Sequence, residues 1–291
     1  MALGGLLVFA AAAGFGTLAI FGKLAAATGL DTPTLLLFRF VVATVALWAV
    51  LGPFGRLRLL SGRPLRTALA MGVVYGLMTV LFFEGLAFLS AGLAAIVFYT
   101  YPVFVFAIST VVLDERLTRP RLVALVAAVA GVALLVGASP VGADPVGVLL
   151  VLSAAVGYAT YTTGSRAVVA SIDPATLAAT ALVSTTASMV PYWLASGGVS
   201  LPAGVDQWLL VVGIGMVGTA APIVLFVVGL ERVEASRASV IGTAEPAVTV
   251  LLGATLLGEP VTPALVVGGG LVLGAVLLVQ REGRPTGMVV H

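Results

Sequence analysis

The chain has 291 residues, of which 60% are hydrophobic and only 9% are charged, and its formal net charge is +2. Because so few polar side chains cannot cover a soluble protein, the composition predicts an all-α membrane protein. The sequence has no cysteine and its single histidine is His291, which excludes a disulfide framework, a Cys/His metal site and a His-dependent nucleophile. The weakly basic balance is explained by membrane topology and does not indicate a nucleic-acid partner.

Ten segments are apolar enough to cross a bilayer, for which a helix needs about 20 residues. Charged residues and Pro/Gly clusters separate them. Their approximate ranges are 3–27, 33–51, 66–89, 92–113, 121–138, 146–169, 174–195, 205–230, 236–257 and 262–280. We interpret the first range as a retained span and not a signal peptide, because it lacks a basic leading region and its apolar run is too long.

The charges of the connecting loops predict the orientation. Connections after the even-numbered helices carry the arginines, as does the C-terminal tail, whereas connections after the odd-numbered helices carry acids and neither lysine nor arginine. Because cytoplasmic loops collect basic residues, both termini are predicted to be cytoplasmic.

The stretch 229–262 reads as a second copy of 85–118, shifted by 144 positions. Gly85, Pro102, Glu115 and Thr118 match Gly229, Pro246, Glu259 and Thr262, and a weaker likeness relates the segments that precede them. The sequence therefore predicts two five-helix halves, 3–138 and 146–280. Since five is odd, the halves enter from opposite sides and form an inverted repeat, an architecture typical of secondary transporters.

Glu245 is the most informative single residue. It lies near the middle of the ninth predicted helix and precedes Pro246, at the position where the first copy has Tyr101. A charge at this depth costs at least about 2.5 kcal/mol on insertion scales, which marks it as a functional candidate. It could neutralise a substrate ammonium, carry a coupled proton, or pair structurally with a base. Helix breaks are expected at three prolines: Pro102, Pro222 and Pro246.

Three other ionisable residues fall inside predicted spans, all about one to two turns from the outer end. Lys23, Arg39 and Glu84 are expected to form an outer charged cluster. In the simpler interpretation Lys23 extends to the interface and Arg39 pairs with Glu84; in the other the three form an outer gate or binding feature.

Aromatic and polar side chains at helical spacing suggest a cavity lining, although ordinary helix packing would give a similar pattern. The candidates lie on the third, fourth, sixth and eighth predicted helices: Tyr75, Thr79, Phe82, Tyr99, Tyr101, Tyr158, Tyr161 and Thr219. The GxxxG pairs Gly72/Gly76 and Gly270/Gly274 predict close helix packing or a dimer face.

Two segments end alike, LDERLT around Glu115 and LGEPVT around Glu259. A carboxylate there is expected to cap the helix that follows. With the inverted repeat and the prolines, these endings resemble the EamA family of the drug/metabolite transporter superfamily, and the aromatic helices resemble amino-acid exporters of the YddG type. Arg39 in LLFRF and the pair Glu245-Pro246 resemble family features. The resemblance implies a multi-pass protein of the bacterial inner membrane that exports amino acids, aromatic ones among them, or related metabolites.

The predicted function is secondary transport by alternating access, with a small-molecule substrate, the lipid bilayer and protons as partners, no cofactor, and a monomeric or weakly oligomeric state. A sugar-phosphate or nucleotide-sugar exchanger is ranked lower, because it needs basic residues in a central cavity and Lys23 and Arg39 are expected to be peripheral. An intramembrane enzyme is less well supported, since interior histidine and cysteine are missing, and a passive channel is the remaining alternative.

Overall fold

The computed structural model describes residues 2–53, 55, 57–112, 118–137, 144–169, 172–196, 200–233 and 235–282. Every regular element within these ranges is helical. The first half of the chain contains α1 (Ala2–Gly16), α2 (Leu18–Ala27), α3 (Thr32–Leu51), α4 (Gly62–Gly85), α5 (Ala91–Phe98), α6 (Tyr101–Val112) and α7 (Arg119–Gly137). The second half contains α8 (Pro145–Val169), α9 (Pro174–Ala195), α10 (Gly204–Gly215), a π-helical turn (Met216–Ala220), α11 (Ala221–Leu230), α12 (Ala235–Gly242), α13 (Ala244–Leu256) and α14 (Pro263–Glu282).

Five helices of the described chain are long and apolar enough to cross a membrane. They are Leu3–Ala27, Thr32–Leu51, Gly62–Gly85, Pro145–Ser165 and Gly204–Leu230. Shorter apolar helices cover Ala91–Val105, Leu122–Gly137, Val240–Leu256 and Pro263–Leu278. The ten spans and the cytoplasmic termini stay predictions, because length and composition single out only the five.

The outer surface of the bundle is apolar, as a lipid-facing surface must be. On α7 the side chains of Leu122, Val126 and Val129 are exposed, Val126 by 61%. A surface of this kind would promote aggregation in water, whereas lipid tails solvate it.

Four helical segments of the described ranges are interrupted. Breaks lie at Thr17 between α1 and α2, at Tyr99–Thr100 between α5 and α6, at the π-helical turn, and at Thr243 between α12 and α13. Pro102, Pro222 and Pro246 lie in the first turns of α6, α11 and α13. Proline is tolerated there because a first-turn N–H lacks an intrahelical acceptor anyway, so each break precedes its proline.

The break at Thr17 has no neighbouring proline, and the sequence did not predict it. Gly14 and Gly16 precede the site, and the Thr17 hydroxyl donates to the Gly14 carbonyl at 2.6 Å. This local bond competes with regular helical bonding.

Helices α3 and α9 begin with the same aspartate N-cap. Asp31 accepts a hydrogen bond from Thr34 N at 2.8 Å, and Asp173 accepts one from Thr176 N at 3.0 Å. Each aspartate is followed by a first-turn proline, so both helices carry a strong start signal.

Glu259 caps a helix, but not the expected one. Its carboxylate accepts hydrogen bonds from Ala91 N at 2.6 Å and Gly92 N at 3.0 Å, at the start of α5. The following helix, α14, has its own cap, since Thr262 Oγ1 accepts from Leu265 N. At the start of α5 the Ser90 hydroxyl accepts from Leu93 N, so that Ala91 N and Gly92 N are left for Glu259. The expectation for Glu259 is therefore corrected, and Glu115 lies outside the described residues.

Helices from the two halves of the sequence pack directly against each other. Helix α4 lies against α8 and α9, α1 against α11, and α7 against α14. The fully buried Phe40 and Leu47 place α3 inside the bundle, beside α9 and α10. This interlocking brings α3, α4, α8 and α13 around one interior region.

Candidate functional site

Five of the six tyrosines of the chain meet in the interior. The ring centroids of Tyr101 and Tyr158 are 4.7 Å apart, those of Tyr75 and Tyr161 5.2 Å, and those of Tyr99 and Tyr101 5.5 Å. Tyr158 also stacks with Tyr161 at 5.9 Å. We call these five residues the tyrosine cluster.

Two phenylalanines extend the tyrosine cluster. The Phe98 ring lies 5.5 Å from Tyr158 and 5.1 Å from Phe82. The contacts thus join α4, the break between α5 and α6, and α8. The structure brings together every aromatic side chain of the predicted cavity lining.

Glu245 faces this tyrosine cluster from α13. Its carboxylate interacts electrostatically with Tyr75, Tyr99 and Tyr158. The end of α12 also lies beside the cluster, because a Cβ at Gly242 would lie 3.4 Å from the Tyr99 hydroxyl. The described residues give the Glu245 side chain neither a hydrogen bond nor an ion pair.

The backbone around Glu245 is held by the broken first helix. The Thr249 hydroxyl donates to the Gly16 carbonyl at 2.8 Å and to the Glu245 carbonyl at 3.2 Å. A Cβ at Gly16 would lie 2.8 Å from the Glu245 carbonyl oxygen, so only glycine allows this approach. The two interrupted helices therefore fix each other where their backbone bonding is incomplete.

Tyr75, Tyr158 and Glu245 lie deep in the bundle, and each side chain keeps part of its surface accessible. Two cavities, of about 410 and 430 Å³, lie away from the tyrosines, beside Arg58 and Asp173 and beside Lys23 and Glu259.

Arg39 is inside the molecule and not at its periphery. It is 1% exposed, and its Nε donates to Thr219 Oγ1 at 2.9 Å. Its guanidinium carbon lies 4.7 Å from the Phe40 ring centroid and 5.3 Å from that of Phe83, and the guanidinium also faces the Tyr75 hydroxyl.

The outer charged cluster predicted from Lys23, Arg39 and Glu84 is not formed. Lys23 Nζ donates to the Leu86 carbonyl at 2.6 Å, and Glu84 accepts a hydrogen bond from the Tyr192 hydroxyl. Within the described ranges Arg39 and Glu84 make no ion pair. Successive helical residues project about 100° apart, so that Phe83 faces Arg39 while Glu84 faces α9.

Thr79 and Thr219, the two threonines predicted to line a cavity, form different hydrogen bonds. The Thr79 hydroxyl is buried and donates to the Tyr75 carbonyl at 2.8 Å on its own helix, so it is occupied by the helix backbone. Thr219 accepts from Arg39 and donates to the Ile214 carbonyl at 2.9 Å. The π-helical turn, a feature common at functional sites, thereby fixes the position of the arginine.

Tyr192 and Thr249 were missed by the sequence reasoning. Thr249 stands one helical turn after Glu245, and a small hydroxyl residue in an apolar helix is a signal for interhelical bonding. No comparable pattern marks Tyr192, because its partner Glu84 is remote in sequence.

The fold is that of a helical membrane protein, and comparison with known proteins identifies it as a transporter. The model of the EamA-like transporter family matches residues 2–137 and again residues 145–281. The chain belongs to this family.

Relatives of the chain include a protein of Archaeoglobus fulgidus named "Uncharacterized transporter", 33% identical over 198 residues, which are 68% of this chain and 71% of the relative. A protein of Streptantibioticus cattleyicolor named "Probable terminal-alkyne amino-acid exporter" is 26% identical over 254 residues, 87% of this chain and 86% of the relative. One crystal structure aligns with a TM-score of 0.66 at 22% identity, covering 97% of this chain and 99% of that chain, a likeness of fold.

Proposed function

We propose that this EamA-family transporter exports amino acids, aromatic ones among them, or related small amphipathic metabolites, by alternating access. The observation that carries the proposal is the Glu245 carboxylate, which faces the tyrosine cluster without a partner among the described side chains. A buried carboxylate without a cation is costly, and a substrate ammonium or a proton would relieve that cost. Aromatic faces favour both an ammonium group and an apolar side chain.

The proposed arrangement has ten spans in two inverted halves, 3–138 and 146–280, with both termini in the cytoplasm of a bacterial cell. The two separate family matches support the division into halves. Sites near the midplane between inverted halves are typical of secondary transporters. The broken helices around Glu245 support the same interpretation, since irregular backbone at membrane depth occurs where it lines a cavity.

A sugar-phosphate or nucleotide-sugar exchanger gains one supporting observation, because Arg39 is buried near Tyr75 and not at the periphery. A phosphate would still bring its negative charge close to Glu245. The combination of one guanidinium and one carboxylate therefore favours amino acids over phosphate esters.

Glu245→Gln tests the proposal in proteoliposomes loaded with labelled amino acids. Amide replacement keeps the shape and removes the charge, so flux is expected to fall about 10- to 100-fold, which corresponds to losing a charged hydrogen bond of about 1.5–3 kcal/mol. Asp206→Asn, at an exposed position of α10, is the matched control and should keep its flux. Unchanged flux and unchanged pH dependence in Glu245→Gln would remove this acid from the mechanism.

A further inference from the structure

Arg39 carries an unsatisfied charge in the interior. Its Nη1 is buried and has no hydrogen-bond partner, and the described residues supply no carboxylate to the guanidinium. Its neighbours are neutral: Thr219, Tyr75, Phe40 and Phe83. Buried charges are normally paired because desolvation is costly, so this nitrogen is placed to receive an anion from outside the protein.

Arg39 and Glu245 have one neighbour in common. Tyr75 faces the guanidinium of Arg39, and the same tyrosine interacts with the carboxylate of Glu245. Within the described residues the two opposite charges are not joined in an ion pair. A direct pair would satisfy both, whereas the observed arrangement leaves each charge without an oppositely charged partner.

The orientation of the guanidinium is fixed by the protein. Thr219 holds Nε at 2.9 Å, and Thr219 is itself held by the Ile214 carbonyl across the π-helical turn. The rings of Phe40 and Phe83 cover the guanidinium. Nε bonds Thr219 and the guanidinium also bonds the Tyr75 hydroxyl, so Nη1 is the nitrogen left without an acceptor. A planar guanidinium suits a carboxylate.

We propose that Arg39 and Glu245 are the two ends of a zwitterion-binding site: Arg39 binds the α-carboxylate of an amino acid, Glu245 binds its α-ammonium, and the tyrosine cluster receives the side chain. This inference rests on the proposed function and adds the group that selects amino acids over amines. It assigns Arg39 to substrate recognition and Thr219 to positioning Arg39.

Competition against labelled phenylalanine in proteoliposomes tests the site with three ligands. Phenylalanine carries both charges, phenethylamine lacks the carboxylate, and phenylpropionate lacks the ammonium. In the wild-type protein phenylalanine should compete at least about tenfold better than either analogue. In Arg39→Gln, measured against labelled phenethylamine, the advantage of phenylalanine over phenethylamine should disappear.

Lys23→Gln is the control, because it also removes one cation from an apolar helix but at a half-buried position away from the tyrosine cluster. Lys23 Nζ bonds a backbone carbonyl, so the ranking of ligands should be unchanged. Equal competition by phenylalanine and phenethylamine in the wild type would overturn the zwitterion site and leave amino-acid export standing. The zwitterion site would also be overturned, and amino-acid export would again be unaffected, if Arg39→Gln keeps the wild-type preference for phenylalanine over phenethylamine. If Arg39→Gln does not fold, the wild-type ranking decides alone. If the wild-type protein takes up none of the three ligands, aromatic amino-acid export is overturned together with the site.

Discussion

Arg39, Glu84 and Glu245 each have neutral side chains as neighbours. Arg39 is bonded to Thr219, Glu84 to Tyr192, and Glu245 faces tyrosine rings. Hydroxyl groups can bond a charge without cancelling it. The interior therefore keeps charges that a substrate or proton can neutralise, which a set of closed ion pairs would not provide.

Asp31 is an acid whose bonding predicts a pH effect on stability. Partial burial would raise its pKa, but hydrogen bonds from Ser200 Oγ and from Thr34 outweigh burial and lower the pKa below its ordinary value of 3.8. A lowered folded-state pKa contributes stability that is complete above the unfolded pKa and is lost as pH falls through the folded value.

Asp31→Asn, which retains a capping side chain, should therefore lower Tm by a constant amount between roughly pH 7 and pH 5. Below about pH 4 this deficit should shrink, because the wild-type aspartate becomes protonated. Thermal unfolding in detergent across this range measures it, with Asp206→Asn as the control for loss of one acidic charge. A deficit that stays constant down to pH 3 would contradict the assignment.

Glu245 could be found from the sequence because it interrupts an apolar run and breaks the repeat at the position of Tyr101. The environment of Arg39 could not be predicted from the sequence. Counting residues from a loop gives depth in the membrane but not the direction in which a side chain leaves its helix. The burial of Arg39 depends on that direction, and on the π-helical turn of a helix from the other half of the chain.

At the scale of helices, α4 is held closely against α9 by its glycines. A Cβ at Gly72 would collide with Ser184 Oγ and the Ala181 carbonyl oxygen of α9. In return Ser184 donates to the Leu69 carbonyl and Thr185 to the Gly72 carbonyl, both at 2.8 Å. Small residues and hydroxyl bonds together fix the helix that presents Tyr75.

Gly72→Ala should therefore destabilise the protein by about 1–3 kcal/mol or more, since backbone oxygen cannot move aside. Gly270→Ala is a matched control, because Gly270 belongs to the other GxxxG pair and a Cβ there would meet nothing within 4 Å. Thermal unfolding of the two purified variants compares them. Equal stabilities would show that the Gly72 contact is not a constraint on packing.

Some of the helix breaks can be predicted from the sequence and others cannot. Proline removes an N–H at a known position, so the breaks before Pro102, Pro222 and Pro246 could be expected. The break at Thr17 arises from a local hydroxyl bond and from packing of Gly16 on α13. The helix that Glu259 caps could not be predicted from the sequence either, since it depends on which helix N-terminus lies near the carboxylate in space.

At the scale of the whole molecule, the two halves of the sequence interlock. Pairs such as α4 with α8 and α7 with α14 take one helix from each half. The presence of two repeats could be predicted from the match between 85–118 and 229–262. The pairing of helix faces could not, because apolar helices offer several similar surfaces. The tyrosine cluster depends on this pairing, since its rings come from both halves.

The orientation of the bundle can be tested with single cysteines, since the chain has none. Leu59 and Leu201 are 90% and 63% exposed and lie in connections on opposite predicted sides. In intact cells a membrane-impermeant maleimide should label Leu201→Cys, and it should label Leu59→Cys only after permeabilisation. The reverse pattern would invert the topology, and labelling of both in intact cells would contradict it.

The most direct test of the central claim is counterflow of labelled phenylalanine into proteoliposomes preloaded with unlabelled phenylalanine. A carrier that alternates access around the tyrosine cluster should give transient accumulation that saturates with external substrate and is lost in Glu245→Gln. Uptake that rises linearly with concentration and is indifferent to the preloaded amino acid would contradict the account.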